Sequence, residues 1–303
     1  MIHVAHLAPR GCWDENILTQ LLGNHLYPTG LEYEHHDGWP NIYDTGVIAV
    51  IPGRYWHTRA AEISEAMARY RWVLAFRTGD EEDLFDIDAV THPNIKWWVQ
   101  TPRADKYYRG ARWFGVGWTP AFNNPPFDPD TPAARKRPLD VYLAGQNTHC
   151  RRNQAFKTLN TMQEHPDYRK IRIQADPTPG FTQGVSPAEY AKTMVTAKIG
   201  VAPAGAVSPD SFRFWEALQA HTLPIVDGES PLQSYYASQF WSRMFGDGSP
   251  LSVLTTYAQL PGYIEDLLAG WPANGNRVTA WWMREKRKMT LDLLADLESL
   301  GAI

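Results

Sequence analysis

The sequence predicts an α/β chain in two halves, each a doubly wound parallel sheet. Three observations carry this. Short apolar runs alternate with amphipathic segments of helical length, the pattern of β-α-β crossovers. A stretch rich in Pro, Asn and Asp at 120–138 interrupts the alternation, which then restarts. The length of 303 residues also suits two domains of roughly 150 residues each.

In the first half, residues 2–7 read as a strand and 16–23 as a helix, separated by the loop that carries Arg10. Residues 44–51 form a buried strand ending in Pro-Gly-Arg-Tyr-Trp-His57. Residues 58–70 form an amphipathic helix. Residues 72–76 are another buried strand, followed by the acidic turn Gly79-Asp80-Glu81-Glu82, and 95–100 are a strand ending at Arg103. Residues 113–118 are the last sheet-like piece. The expected division is an N-terminal domain at 1–124, a linker at 125–138, a C-terminal domain at 139–275 and a closing helix at 276–303. The basic run Arg135-Lys136-Arg137 is expected to be a solvated tether within that linker.

In the second half, 139–144 is a strand, followed by Gly145-Gln-Asn-Thr-His-Cys-Arg-Arg152 and a helix at 153–163. Residues 171–174 are a strand, and Ser186 caps a helix at 187–196. The organising unit is Gly200 to Gly228, which reads strand, small-residue turn, helix, strand. Ser208-Pro209 is expected to open that helix, with a hydroxyl at the N-cap and proline at the first position. Its free N–H groups and positive dipole end would then seat a diphosphate. Arg213 and Glu216, three apart, share one helix face, as a surface ion pair or as ligand contacts. Helices follow at 235–241 and 255–268, and a long amphipathic helix at 277–300 closes the chain.

The totals narrow the function. A net charge of -4 and 44% hydrophobic residues describe a chain with a large core and no overall basic character. That disfavours a nucleic-acid binder. No apolar window is long enough for a membrane span, and the start lacks the pattern of a signal peptide. Two cysteines, Cys12 and Cys150, lack metal-type spacing and fit a reducing, cytoplasmic setting.

Four chemistries compete. Asp86-Ile-Asp88 and Asp128-Pro-Asp130 have a carboxylate-pair form, and His35-His36-Asp37 is denser, but none has a convincing ligand spacing, so no metal is expected. Cys150 lies beside two arginines yet lacks a catalytic neighbourhood. No Gly-x-Gly-x-x-Gly follows the first strand, which argues against a dinucleotide enzyme. What remains is a phosphate and nucleotide seat in the second half. Gly145, Arg151, Arg152 and the Ser208-to-Ser211 turn lie at strand C-terminal ends, where open α/β sheets bind ligands. Arginine's planar fork suits phosphate oxygens.

The same residues carry a resemblance. Tyr142 to Arg152, Gly180-Phe-Thr-Gln-Gly184 with Glu189-Tyr190, and Ala202 through Ser208-Pro-Asp-Ser-Phe-Arg-Phe-Trp-Glu to Val226 resemble exostosin-type glycosyltransferases, in the ribitol-xylosyltransferase-like and bacterial or phage branches. The likeness is good over 139–228 and vaguer before it. It implies a GT-B fold, two Rossmann-like domains across a cleft, and a nucleotide-sugar cosubstrate such as a UDP- or GDP-sugar. It further implies metal-independent, inverting transfer to a glycan, a protein or, less readily, a modified DNA acceptor, with no other cofactor. By the resemblance Gly145, Asn147, Arg151, Arg152, Thr182, Gln183, Ser208, Asp210, Ser211, Arg213 and Glu216 would hold the donor. The general base should come from the first domain, with Asp80 and Glu81 as candidates and His57 next. Arg10 and Arg103 would face the acceptor. The family commonly has Gly-Cys after the phosphate-binding helix, whereas His221-Thr222 stands here. A sugar-nucleotide epimerase, or a non-catalytic carbohydrate-binding protein, is the alternative on the same fold.

Overall fold

The computed structural model describes residues 1–7, 16–23, 29–103, 105–123, 137–180, 183–231 and 239–303. The chain divides into two compact units. One comprises residues 1–116 and 285–303, the other 117–284.

The first unit holds β1 (Ile2–His6), α1 (Asn16–Leu22), β2 (Tyr33–Asp37), β3 (Gly46–Pro52), α2 (Gly53–Trp56), α3 (Ala60–Met67), β4 (Trp72–Thr78), β5 (Ile95–Gln100) and β6 (Arg112–Phe114). All pairings are parallel, in the order β2-β1-β3-β4-β5-β6. β3 and β4 lie inside this sheet and are buried along their whole length, which is why they read as unbroken apolar runs. β2 was not expected as a strand. Its sequence, Tyr-Glu-His-His-Asp, carries no apolar alternation because it is an edge strand with partly solvated side chains. Trp97 and Trp98 are buried core residues of this unit.

The second unit holds β7 (Leu139–Gln146), α4 (Cys150–Glu164), β8 (Ile173–Thr178), α5 (Pro187–Met194), β9 (Ala197–Ala202), α6 (Phe212–Gln219), β10 (Leu223–Asp227), α7 (Phe240–Phe245), β11 (Ser252–Leu254) and α8 (Leu260–Ala269). α9 (Ala273–Ser299) begins here and continues into the first unit. There Asp296 accepts from Trp98 Nε1 at 2.9 Å and from Arg112 Nε at 2.6 Å. The sheet order is β11-β10-β9-β7-β8, again all parallel. Counting strands from the start of each unit, the second sheet has the order 2-1-3-4-5 and the first the same order with a sixth strand added at the end. Each therefore reverses direction beside its first strand: between β1 and β3, and between β7 and β9. Such reversals open a crevice at the strand C-terminal ends.

Local chemistry explains the main elements. Ser186 accepts from Glu189 N while the Glu189 carboxylate accepts from Ser186 N, a complete capping box with Pro187 at the first helical position. Gly200 lets α6 close onto β9, since a Cβ there would stand 3.0 Å from the Cβ of Ala217. α6 ends with Thr222 N bonded to Ala217 O and His221 N to Leu218 O, the two bonds of a Schellman cap. His221 adopts φ +53° to make it, so it supplies the turn for which glycine is the usual residue.

Two expectations are corrected. α6 begins at Phe212 with Ser211 as N-cap, so Ser208-Pro209 precedes the helix instead of opening it. The turn from 203 to 211 folds back so closely that a Cβ on Gly205 would meet Asp210 O at 2.4 Å. Arg137 is no solvated tether. It is buried and donates to the carbonyls of Ala197 at 2.6 Å and Ala220 at 3.0 Å and to Thr222 Oγ1 at 2.9 Å. Arg135 and Lys136 lie outside the described residues, as does Asp128-Pro-Asp130.

Candidate functional site

In the second unit, the loops after β7 and β9 flank the strand reversal. β7 ends at Gly145-Gln146, and Gly145 has φ +130°, open to glycine but not to L side chains. The space a side chain would need is taken by Arg213, whose Nη2 would lie 1.4 Å from a Cβ at 145. Arg213 Nε donates to Ala144 O at 2.5 Å. The start of α6 is thereby fixed to the end of β7.

Arg152 ties the same two loops from the other side. Only 6% exposed, it donates from Nε to Ala204 O at 3.2 Å and from Nη1 to Gln146 O at 3.5 Å. Arg151 turns elsewhere. It is ion-paired with the fully buried Asp227 at the end of β10, with Nε to Oδ2 at 2.9 Å, and lies over the Tyr257 ring. Tyr257 donates its hydroxyl to the same carboxylate at 3.1 Å. Of the two neighbouring arginines, Arg152 therefore faces the strand reversal, while Arg151 neutralises a buried acid.

Both helices that start here lack side-chain caps. α4 has His149 at its N-cap and α6 has Ser211, neither makes a side-chain cap hydrogen bond, and neither first turn contains an acid. The Ser211 hydroxyl is buried without a hydrogen-bond partner. Neither ring nitrogen of His149 meets hydrogen-bond geometry, although both are shielded from solvent. Burial, followed by the charge of Arg152, lowers the His149 pKa to about 4, and the nearby Ala204 carbonyl opposes this only in part. Unsatisfied donors, two positive helix ends and guanidinium charge make the crevice suited to an anion.

The other expected donor contacts fall differently. Asp210 is buried and accepts from Trp215 Nε1 at 2.7 Å, and Ser208 is buried as well. Glu216 is 4% exposed and accepts from Thr119 Oγ1 at 2.8 Å. Burial raises its pKa, while the charge of Arg213 draws it down. Its carboxylate is thus enclosed rather than standing open. Asn147 is exposed, with its N–H on Thr178 O at 3.1 Å. Gln183 is exposed after β8, and Thr182 lies outside the described residues.

In the first unit, β3 and β4 end at an open depression of about 200 Å³ lined by Arg54, Tyr55, Gly79, Glu81 and Glu82. Glu81 reaches it. Asp80 does not: it is buried, and its two oxygens accept from Leu84 N and Phe85 N, both at 2.9 Å. Arg77, fully buried, pairs with Asp80 at 3.5 Å and with Asp83, whose other oxygen accepts from Lys106 Nζ at 2.8 Å. Burial would lower the Arg77 pKa, but the carboxylates outweigh this and hold it charged. Asp80 is therefore a structural turn-former. His57 is exposed and bonded through Nδ1 to Arg54 O at 2.9 Å, outside the depression's lining. Arg103 forks onto Asp105 at 3.0 and 2.8 Å. Arg10 lies outside the described residues. The Asp86-Ile-Asp88 triplet is a local turn, with Asp86 Oδ1 accepting from Asp88 N at 3.1 Å.

Sequence reasoning missed His149 and Tyr55. His149 had a signal, since it immediately precedes the helix that Arg151 and Arg152 begin. Tyr55, 72% exposed beside Glu81, had none beyond its position after a strand. No protein-family model and no curated protein matches the chain.

Proposed function

We propose that the chain is a nucleotide-sugar glycosyltransferase whose second unit binds the donor's nucleoside diphosphate. The observation that carries this is the pair of uncapped helix starts at the β7/β9 reversal, equipped with Arg152, the unpartnered Ser211 hydroxyl and His149. The diphosphate would accept from Ser211 and from the first N–H groups of α4 and α6, and its charge would be met by Arg152. Arg213 holds the Gly145 turn in shape. A seat of this kind does two jobs in glycosyl transfer: it binds the donor and takes up charge as the diphosphate leaves.

In the proposed transfer, an acceptor hydroxyl attacks the anomeric carbon and its proton passes to Glu81. The bond from that carbon to the diphosphate oxygen breaks with its electron pair, with inversion. Glu81 is favoured over Asp80 because it lines an open depression, whereas both Asp80 oxygens are engaged by backbone N–H groups. Tyr55, exposed beside it, offers an aromatic face for a sugar ring. A GT-B arrangement of the two units belongs to this proposal.

The test is donor turnover. UDP-, GDP-, ADP- and CMP-sugars are incubated with the protein and the released nucleotide is measured. The proposal expects one nucleotide class to bind and its sugar donor to be hydrolysed slowly without acceptor. It fails if every nucleotide leaves the unfolding temperature unchanged and no donor turns over. Nucleotide binding unaffected by Arg152→Gln would instead move the seat elsewhere.

A further inference from the structure

We propose that the first unit carries a divalent transition-metal site on the outer strands of its sheet, formed by His3, Glu34 and His36. The fold assembles it from sequence-distant residues. β1 and β2 are parallel with His3 opposite Glu34, and residues in register share a face, as do residues two apart on one strand. His36, two after Glu34, therefore joins His3 and Glu34. His35 and Asp37 turn to the opposite face with His6, where His6 Nε2 lies 2.9 Å from His35 Nδ1. The sequence triplet His35-His36-Asp37 is thus split between two faces, and its apparent density as a ligand set is lost. The real set needed His3, far away in the chain.

The distances suit a metal. His3 Nδ1 is 3.1 Å from His36 Nε2 and 3.2 Å from Glu34 Oε2, and His36 Nε2 is 3.9 Å from Glu34 Oε1. Among the described residues this is the group of His, Cys, Asp and Glu whose ligand atoms all lie within 4.8 Å of one another. Ligands at about 2.0–2.1 Å from a tetrahedral zinc stand about 3.3 Å apart. Without a metal, the two facing imidazole nitrogens can share only one proton between them. A cation would satisfy both lone pairs and the carboxylate together. Two imidazoles and one carboxylate select a borderline ion such as Zn²⁺ over Mg²⁺ or Ca²⁺, which prefer all-oxygen shells. The imidazoles are about one-quarter exposed and Glu34 about half, so a fourth position is open to water. This site is independent of the donor seat.

The test uses the full chain without an affinity tag, stripped by a chelator and titrated with Zn²⁺ by calorimetry. The expected result is one Zn²⁺ per chain and a higher unfolding temperature in Zn²⁺ than in chelator. Glu34→Gln and His36→Gln should each weaken binding about tenfold or more, while His35→Gln, on the other face, leaves it unchanged. Glu34→Gln alters a half-exposed residue and keeps the fold, which circular dichroism in chelator checks. The site is refuted if wild type binds no Zn²⁺, if Glu34→Gln binds as tightly as wild type, or if His35→Gln shares the loss.

Discussion

Arg213 Nε donates to the carbonyl of Ala144, and its guanidinium occupies the place of a side chain on Gly145. Strand end and helix start are interlocked: the turn needs a glycine both for φ +130° and for the arginine. Gly145→Ala is predicted to cost about 1–3 kcal/mol from backbone strain alone, with further loss from displacing Arg213. Urea unfolding measures the stability, and nucleotide affinity should fall with it. Unchanged stability would show that the turn tolerates a side chain.

Asp80 and Glu81 are adjacent in sequence and differently placed: Asp80 is buried with both oxygens bonded, and Glu81 lines the depression. Asp80→Ala removes a carboxylate from buried Arg77 and two acceptors from backbone N–H groups. It should destabilise by about 3–5 kcal/mol. Glu81→Gln should cost less stability than Asp80→Ala while removing turnover and sparing nucleotide binding. Denaturation and donor-hydrolysis assays on both variants separate the roles.

His149 gives a pH dependence of known sign. Its pKa is about 4 in the fold against 6.5 ordinarily, so between those values the unfolded chain takes up a proton that the folded chain refuses. Its contribution to stability is complete above pH 6.5 and is lost as pH falls toward 4. Unfolding curves between pH 7 and 4 should show this decline, and His149→Gln should flatten it. A bound diphosphate would favour the protonated ring, so nucleotide binding near pH 5 should take up a proton, seen by calorimetry in buffers of different ionisation enthalpy.

Glu216 has the opposite sign. Burial raises its pKa, so its contribution is present below the ordinary glutamate range and is lost as pH rises through the folded value. Glu216→Gln keeps an acceptor for Thr119 without the buried charge. At pH 7 it is predicted to unfold at a temperature no lower than wild type, and near pH 4 any advantage should shrink. Thermal unfolding at the two pH values checks this.

The parallel sheets were legible because interior strands such as β3 and β4 bury both faces and must be apolar throughout. Edge strand β2 was not, since its polar, partly solvated side chains leave no hydrophobic period. The loops at the β7/β9 reversal were also legible, because strand ends followed by small residues and arginines announce themselves. What each side chain does there was not. Arg151 and Arg152 are chemically identical neighbours, and only Asp227, 76 residues away from Arg151, assigns one to a buried ion pair. The Ser208-Pro209 start looked like a helix cap, but close return of the chain onto Gly205 delays the helix to Phe212. The histidine triad on β1 and β2 depends on strand register, which composition does not reveal.

Calorimetric titration of UDP and GDP asks whether a nucleoside diphosphate sits at the β7/β9 reversal. Wild type should bind one of them at one site per chain. Arg152→Gln and Ser211→Ala should weaken that binding, the arginine change by about tenfold or more, as expected for a charge-assisted hydrogen bond of about 1.5–3 kcal/mol. Glu81→Gln should bind like wild type. Binding of neither nucleotide, or equal affinity in wild type and Arg152→Gln, would contradict a diphosphate seat at this reversal.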